Sequence, residues 1–309
     1  LETHGVVVAR VAMPPLPALA AAQADFFQRH GMGLGGSYGP RRHQALMEQM
    51  QRTLEPAERA ENARNVLFFR GAERTLRTLP SVVAVGVLEP APFTSAATSA
   101  MQNPNWVSTR RSGGTRDALV PCIVGRASAQ AFEVLGVRLQ AGRTFTTSDV
   151  AEEFTLQETV QFPPARAGTV LTALSGSAII NQVLARRLWP TESAIGKRFY
   201  DRGSAARVVV GVVPHFHQSG YNMTVMPAAY YPFTGLRGAT SFLVRLSPKA
   251  STERVATEAQ RTLGELAPGL VRAEVQSMEG VTAASLTNLR LALVLLSVFS
   301  IVGSVVAGL

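Results

Sequence analysis

The C-terminal stretch, 289–309, constrains this chain more than any other part of it. No residue after Arg290 is charged, and serines are its main polar interruption. A helix needs about 20 apolar residues to cross a hydrocarbon core of about 30 Å. We therefore predict that 291–309 starts a transmembrane helix; the alternative is a core helix of a large globular protein, which usually has a polar face. Because the chain starts at Leu1 and stops inside this run, we expect a piece of a longer membrane protein.

Charge and composition argue against some classes of function. The 309 residues carry a formal net charge of +9, yet Lys197 and Lys249 are the only lysines and the arginines are scattered. Aromatic residues do not alternate with the arginines, as a platform for stacking bases would require. We therefore expect no nucleic-acid binding. Because 46% of the residues are hydrophobic, we expect a folded core.

Residues that bind metals are sparse in this sequence. Cys122 is the single cysteine, which excludes an intrachain disulfide and a cysteine metal site. His215 and His217 are two residues apart at the end of a predicted strand, so both can point to one face. No Asp, Glu or Cys follows closely to complete a ligand set. We expect no metal and no cofactor in this chain.

Two strand–helix–strand units are predicted, one near each end of the part before the apolar stretch. The first unit consists of a strand at 6–13, a helix at 43–54 ending before Pro56, an amphipathic helix capped by Asn65 and stopped by Pro80, and a strand at 81–88. The second consists of strands at 207–213, 229–233 and 241–246, a helix from Ser251 with Val255, Ala259, Leu263 and Leu266 inward, and a strand at 271–275.

A mixed segment separates these two units. Its predicted elements are a loop at 91–115, a strand at 118–124, a short helix at 129–135 closed by Gly136, a surface excursion at 150–171 and a helix at 179–189. The fold class is therefore α+β. The predicted division is 1–93 with 203–278 as one discontinuous subdomain, 94–202 as an insertion, 279–290 as a stalk and 291–309 as the membrane helix.

Three clusters in the middle of the chain resemble a known family. They are Phe132 to Val137 with Ala141-Gly142-Arg143-Thr144-Phe145 and Asp149; Ile179-Ile180-Asn181 with Leu188-Trp189-Pro190 and Ala194-Ile195-Gly196-Lys197; and Val209 to Val213, including Gly211, with Tyr230-Tyr231-Pro232 and Val244-Arg245. In this order and spacing they are similar to the MacB-like periplasmic core domain of FtsX-type ABC transporter permeases. The resemblance covers nearly the whole chain.

The resemblance implies an extracytoplasmic domain between the first two membrane helices of an inner-membrane permease, with residues 1–288 mainly periplasmic. It also implies a porter-like subdomain formed by the two bracketing units. Such permeases dimerise and work with an ATP-binding cassette subunit or domain, and they transmit conformational change to drive export or extraction of substrate. ATP hydrolysis would then occur elsewhere, so this chain would not be an enzyme. A periplasmic adaptor, an outer-membrane channel and the bilayer are the other implied partners.

Within the family motif, the residues themselves favour structural roles. Gly136, Gly142 and Gly196 are interpreted as turn glycines, and Trp189 as a core anchor at a helix end. The sequence also departs from the family pattern. The segments 28–64 and 151–173 are longer than usual, and Pro214-His215 occupies a place that is commonly acidic in the family.

A second class of function stays open beside the permease: a membrane-anchored periplasmic hydrolase or regulator. The segment 35–39 fits G-x-S-x-G with Ser37 at the nucleophile position, and Gly31, Gly33 and Gly36 fit G-x-G-x-x-G. Both motifs need a preceding apolar strand, which is missing from the sequence. No G-x-x-x-x-G-K-[ST] motif occurs, so ATP hydrolysis by that chemistry is not expected.

The segment before the apolar stretch is predicted to be a helical stalk. No proline occurs from 281 to 309, and Gly280 offers a helix start. A continuous helix over this range would be about 43 Å long, so roughly 13 Å would stand above a hydrocarbon core of about 30 Å. We therefore predict that 284–290, with Ala284, Leu286 and Arg290, is a mechanical coupler.

Overall fold

The computed structural model describes residues 3–30, 40–110, 119–162, 174–201, 206–218, 224–236, 238–268 and 272–283, with Ser297 and Ser300. The strands in these ranges are β1 (Val6–Ala12), β2 (Val82–Glu89), β3 (Asn105–Ser108), β4 (Val120–Ala127), β5 (Ala141–Gly142), β6 (Ser175–Asn181), β7 (Arg198–Asp201), β8 (Ala206–Val213), β9 (Ala228–Pro232), β10 (Ala239–Leu246) and β11 (Arg272–Ser277). The helices are α1 (Pro17–His30), α2 (Pro40–Thr78), α3 (Ser95–Gln102), α4 (Ala131–Val134), α5 (Thr147–Gln161), α6 (Gln182–Leu188) and α7 (Thr252–Leu266).

The described strands form one mixed sheet. Their order is β11-β1-β10-β2-β4-β3-β7-β8-β6-β9, with β5 paired to β8 and an additional pairing of β4 with β9. Strand β1 lies between β10 and β11 and is antiparallel to both. Its side chains alternate between two cores, with Val6 and Val8 in one and Val7 and Ala9 in the other. Burial on both faces explains why the strand predicted at 6–13 is a continuous apolar run.

Helices α2 and α7 pack against one face of the sheet around β1. In α7, Val255, Ala259 and Leu263 are buried at four-residue intervals, and Ser251 accepts a hydrogen bond from a backbone N–H of the first turn. This confirms the helix predicted from Ser251. Its expected fourth inward position, Leu266, is 40% exposed, because the helix ends there. The residues of α2 in this core are Phe69, Ala72 and Leu76.

The other face of β1 packs against the middle of the chain. Phe132, on α4, is fully buried and contacts the ring of Tyr230 edge to face, with 5.1 Å between ring centroids. The same core includes Leu88 at the end of β2 and Met278 directly after β11. This core therefore contains residues of the long central strands and of the turn that follows β11. A third core lies between β6, β8, β9 and α6.

The long helix α2 corrects two predictions. It runs without interruption from Pro40 to Thr78 and contains Pro56, whereas two helices separated near Pro56 were predicted. Asn65 is therefore not a helix cap. Its buried side-chain amide donates to the backbone oxygen of Leu236 at 3.4 Å. Buried positions occur on both sides of Pro56, so tertiary packing outweighs a helical cost for proline of about 3 kcal/mol.

The middle segment contains more regular structure than predicted. The expected surface excursion at 150–171 is, up to Gln161, helix α5, which starts with a capping box between Thr146 and Asp149. The expected helix at 179–189 begins only at Gln182, because the residues up to Asn181 complete strand β6. The expected loop at 91–115 contains α3 and β3, and sequence reasoning missed α1 and β7 altogether.

Strand pairing shows which of the predicted strands are neighbours in the sheet. Strand β8 pairs with β5, β6 and β7, whereas β1 pairs with β10 and β11. The strand predicted at 207–213 therefore has its partners in the middle segment and not beside 6–13. The predicted boundary at 203 falls between β7 and β8, which pair with each other. The physical reason is that β8 is parallel to β6, and such non-local pairing leaves no local sequence signal.

The predicted membrane helix falls outside the described residues, apart from Ser297 and Ser300, which are helical. Within the described ranges, no helix is both long enough and apolar enough to span a membrane. Residues 278–283 form a helical turn after β11. This turn starts two residues before Gly280, the predicted start, and Gly280 donates its backbone N–H to the hydroxyl of Ser277 at 3.0 Å.

Candidate functional site

The three sequence clusters that carry the family resemblance meet on strand β8. Gly142 lies opposite Gly211 in the β5–β8 ladder. The backbone N–H of Arg143 donates to the oxygen of Val210 at 2.9 Å, and that of Gly196 donates to the oxygen of Val209 at 2.8 Å. Gly142 and Arg143 are thus held against residues nearly 70 positions later in the sequence, and Gly196 against a residue 13 positions later, by backbone pairing that does not depend on the side chains.

Two of these glycines are required by close approach of the backbone. A Cβ on Gly142 would lie 2.2 Å from the oxygen of Val210, and the residue has a φ of +77°. A Cβ on Gly211 would lie 2.5 Å from the oxygen of Arg143. Gly136 and Gly196 also have positive φ, but a Cβ on Gly196 would meet nothing within 4 Å. Gly142 and Gly211 therefore permit a close approach of backbone segments that a Cβ would block.

The larger motif residues are distributed differently. Phe132 and Phe145 are buried. Trp189 is half-buried at the end of α6 and packs against the third core, whereas Pro190 is exposed. Lys197 forms an ion pair with Glu192 at the surface. These positions do not converge on one concave site.

Asp149 is the centre of a polar network at the start of α5. Its carboxylate accepts hydrogen bonds from both terminal nitrogens of Arg143, at 2.6 and 3.1 Å. It also accepts from the backbone N–H and the hydroxyl of Thr146, at 2.6 and 2.7 Å, and from the hydroxyl of Ser177. Burial alone would raise the pKa of Asp149, but these donors outweigh burial and hold the pKa well below its usual range.

A second ion pair lies one helical turn further along α5 and is more deeply buried. The Glu153 and Arg207 side chains are 0% and 5% exposed and form an ion pair. The Arg207 guanidinium also lies 3.7 Å from the centre of the Tyr231 ring, and its Nε is 3.7 Å from the Asp201 carboxylate. Burial by itself lowers the pKa of Arg207, but Tyr231, Glu153 and Asp201 together raise it above the usual value. The guanidinium therefore stays charged.

Sequence reasoning missed Glu153 and Arg207 as a pair. Helix α5 carries Asp149, Glu153, Gln157 and Gln161 at four-residue intervals, a spacing that places them on one face. That spacing was the available signal. The spacing was not recognised as a buried pattern, because a polar stripe in a helix is normally exposed to solvent. The acidic segment was therefore assigned to the surface.

The base of the domain is formed where β1 begins and β11 ends. These strands pair antiparallel, with Val7 opposite Ser277. Met278 is fully buried, and Val281, in the next helical turn, packs against the same core. The ring of His4 is within hydrogen-bond distance, 2.6 Å, of the Glu279 carboxylate. The segment before β1 and the segment after β11 are therefore held side by side.

The remaining sequence candidates do not form a chemical site among the described residues. Ser37 and the glycine motifs around it lie outside those residues, as do Ala284, Leu286 and Arg290. His215 is exposed after β8. No cluster of three or more His, Cys, Asp or Glu side chains that could hold a metal occurs in the described ranges. Cys122 is fully buried, and burial raises the pKa of its thiol well above the usual value.

Comparison with known proteins assigns the chain to a family. The MacB-like periplasmic core domain family matches residues 44–262, which is more than half of the sequence. The chain therefore belongs to this family and is a domain of a MacB/FtsX-like ABC transporter permease. This confirms the family resemblance found in the sequence.

Two solved structures are similar to this chain. The periplasmic region of MacB from Actinobacillus actinomycetemcomitans is 11% identical, with 91% of this chain and 92% of that chain covered and a TM-score of 0.48. The extracellular domain of the ABC-type transporter YknZ from Gram-positive bacteria is 16% identical, with 66% and 87% covered and a TM-score of 0.41. No curated protein sequence matches the chain.

Proposed function

We propose that this domain stands on the extracytoplasmic side of the inner membrane. It transmits conformational change from the rest of the permease to drive export or extraction of substrate. The observation that carries the proposal is the pairing of β1 with β11. Because the two strands are antiparallel and in register at Val7 and Ser277, the chain enters and leaves the sheet at the same end. A domain inserted between two consecutive membrane helices needs both connections at one end, and motion of either helix then acts at one place.

The base of the domain supports transmission of motion because it is anchored in the core. Met278 is buried among residues of β1, β2 and α4, so displacement of the turn at 278–283 must displace the core. Interiors this closely packed have low compressibility and transmit strain. We propose that the coupler predicted at 284–290, with Ala284, Leu286 and Arg290, continues this turn towards the membrane.

The energy for this motion would come from a partner. We propose an ATP-binding cassette subunit or domain on the cytoplasmic side and a second copy of the permease, with a periplasmic adaptor or outer-membrane channel receiving exported substrate. The domain itself would bind and move without catalysing a reaction. Family membership supports the ATPase partner, since ABC transporters work with one.

The test uses the full-length permease purified from its native membrane and returned to lipid nanodiscs. We expect an ATP-binding subunit or domain to be present. A spin label on Ala151→Cys, an exposed position on α5, should change its distance to the same label in the second copy when a non-hydrolysable ATP analogue is added. Absence of an ATPase, or a distance that ignores the nucleotide, would remove the proposal.

The coupler is tested in the same preparation with Ala284→Pro, using Ala284→Leu as a helix-compatible control. Proline inside a helix costs about 3 kcal/mol and breaks it. We expect Ala284→Pro to abolish the nucleotide-dependent distance change while basal ATPase activity and folding persist. A full distance change in Ala284→Pro would show that motion does not pass through this segment.

A further inference from the structure

The two segments that are longer than usual in the sequence, 28–64 and 151–173, contact each other where the structure describes them. The side-chain amide of Gln51 on α2 donates to the backbone oxygen of Gln161 at 2.8 Å. Asn62, also on α2, donates to the side-chain oxygen of Gln161 at 2.9 Å. The departures from the family pattern therefore form one structural unit, in which the C-terminal end of α5 is bound to α2.

A charged residue of α2 strengthens this junction. The Arg59 guanidinium lies 4.4 Å from the centre of the Phe162 ring and 3.7 Å from the Glu158 carboxylate. Phe162 is buried directly after α5. Because the Arg59 side chain is 46% exposed, these contacts add only modestly to the hydrogen bonds made by Gln51 and Asn62.

The other end of α5 is bound to the sheet through ions. Asp149 binds Arg143 before the helix and Ser177 on β6, and Glu153 binds Arg207 on β8. We call the side of α5 that carries Asp149, Glu153, Gln157 and Gln161 its polar face; Asp149 and Glu153 contact the sheet, and Gln161 contacts α2.

A hydrogen-bonded path runs along part of this polar face. The side-chain amide of Gln157 donates to Glu153 at 2.7 Å, and the hydroxyl of Thr234, after β9, donates to Gln157 at 2.9 Å. Arg207, Glu153, Gln157 and Thr234 are thus linked in series. Helix α5 therefore has directional contacts with strand β8 in its first half and with helix α2 at its last residue.

Helix α7 is a comparison within the same protein. Both helices have 15 residues, but α7 packs through Val255, Ala259 and Leu263. Apolar contacts are non-directional and tolerate small slips, whereas one buried ion pair defines the register of a helix on its support. Replacing such a pair by apolar residues of similar volume often leaves the global stability unchanged or raises it, so the expected effect of the pair is to hold α5 locally on its support.

We propose that α5 is a rigid link, which we call the strut, between α2 and the strands that pair with β8, namely β5, β6 and β7. The Glu153–Arg207 ion pair is the contact that sets the position of the strut on the sheet. The strut makes helix α2, strand β8 and the strands paired with β8 move as one body. This inference deepens the proposed function, since a domain that transmits motion must not lose it between its parts.

The test is hydrogen exchange, measured by mass spectrometry, on the full-length permease carrying Glu153→Leu with Arg207→Met. We expect amide protection in α5 to fall by roughly tenfold, within the range that coupled residues of one salt-bridge network show. Protection should also fall in α2 between 45 and 62, which α5 holds, but not in α2 between 66 and 78 or in α7. The thermal midpoint should stay within a few degrees of the wild type.

Glu152→Gln, at an exposed position next to Glu153 on α5, is the matched control. It should leave amide protection unchanged in α5, in α7 and in both parts of α2. Unchanged or higher protection of α5 in the double variant would overturn the strut. So would a loss confined to α5 that leaves 45–62 protected. If the double variant does not fold, Glu153→Gln takes its place with the same expected pattern of protection, although its thermal midpoint should fall because buried Arg207 loses the Glu153 carboxylate. The measurement needs no nucleotide, so its failure is distinct from failure of the proposed function.

Discussion

At the scale of single residues, the motif glycines differ in what they tolerate. Gly142 and Gly196 both have positive φ, but only Gly142 faces a backbone oxygen at a distance no Cβ can occupy. We expect Gly142→Ala to lower the free energy of unfolding by about 3 kcal/mol or more, since both strain and overpacking act there. Gly196→Ala should cost about 1 kcal/mol, from strain alone. Chemical denaturation of the two variants checks this, and equal losses would contradict the close-approach argument.

Asp149 predicts a pH dependence of stability. Its pKa is lowered in the folded protein, so its contribution is complete above the unfolded pKa of about 3.9 and is lost as pH falls through the folded pKa. We expect Asp149→Asn to lower the free energy of unfolding by about 2 kcal/mol at pH 7, because donors to a charged acceptor lose their partner.

The difference between wild type and Asp149→Asn should shrink as pH is lowered from about 5 to about 2, because the unfolded wild-type chain then binds a proton at Asp149 that the folded protein does not bind. Denaturation curves at several pH values measure this. The neighbouring Glu152→Gln is the control, since its carboxylate is exposed. A difference that stays constant over this range would show that Asp149 acts through shape and not through charge.

At the scale of elements, helices α5 and α7 dock on the same sheet in two different ways. The apolar docking of α7 predicts a large effect of truncation. Leu263→Ala, at a fully buried position, should lower the free energy of unfolding by about 2–5 kcal/mol through lost burial and a cavity.

Leu266→Ala, one turn later at a position that is 40% exposed, should cost clearly less, about 1 kcal/mol. Thermal or chemical unfolding of the pair measures the contrast. Equal costs would mean that the last turn of α7 is packed in solution, as its sequence pattern alone suggests.

At the scale of the whole molecule, the placement of the domain can be tested with one cysteine. Cys122 is the single cysteine of these 309 residues and is buried with a raised thiol pKa, so this domain should resist thiol reagents. Ala151→Cys adds an exposed thiol. We expect an impermeant maleimide to label it once the outer membrane is opened and the inner membrane is intact, although the domain is basic, because long domains cross largely regardless of charge. Labelling that requires rupture of the inner membrane would contradict an extracytoplasmic domain.

Local periodicity in the sequence was enough to predict several elements. The strand at 6–13 and the helix from Ser251 follow from apolar spacing, because burial of a strand on both faces or of one helix stripe leaves a pattern in consecutive residues. The spacing of the three motif clusters was also enough to recognise the family, which the match over 44–262 confirms. Division of the chain into subdomains remains a prediction.

Only the tertiary structure could decide which elements are neighbours. Glu153 and Arg207 are 54 residues apart, and Gln51 and Gln161 are 110 apart, so neither pair leaves a trace in a local window. Helix α2 continues through Pro56 because its flanks are buried, and Asp149 and Glu153 are inside because arginines reach them. Propensity describes the cost that a residue carries in isolation, and packing or pairing with distant residues can outweigh that cost.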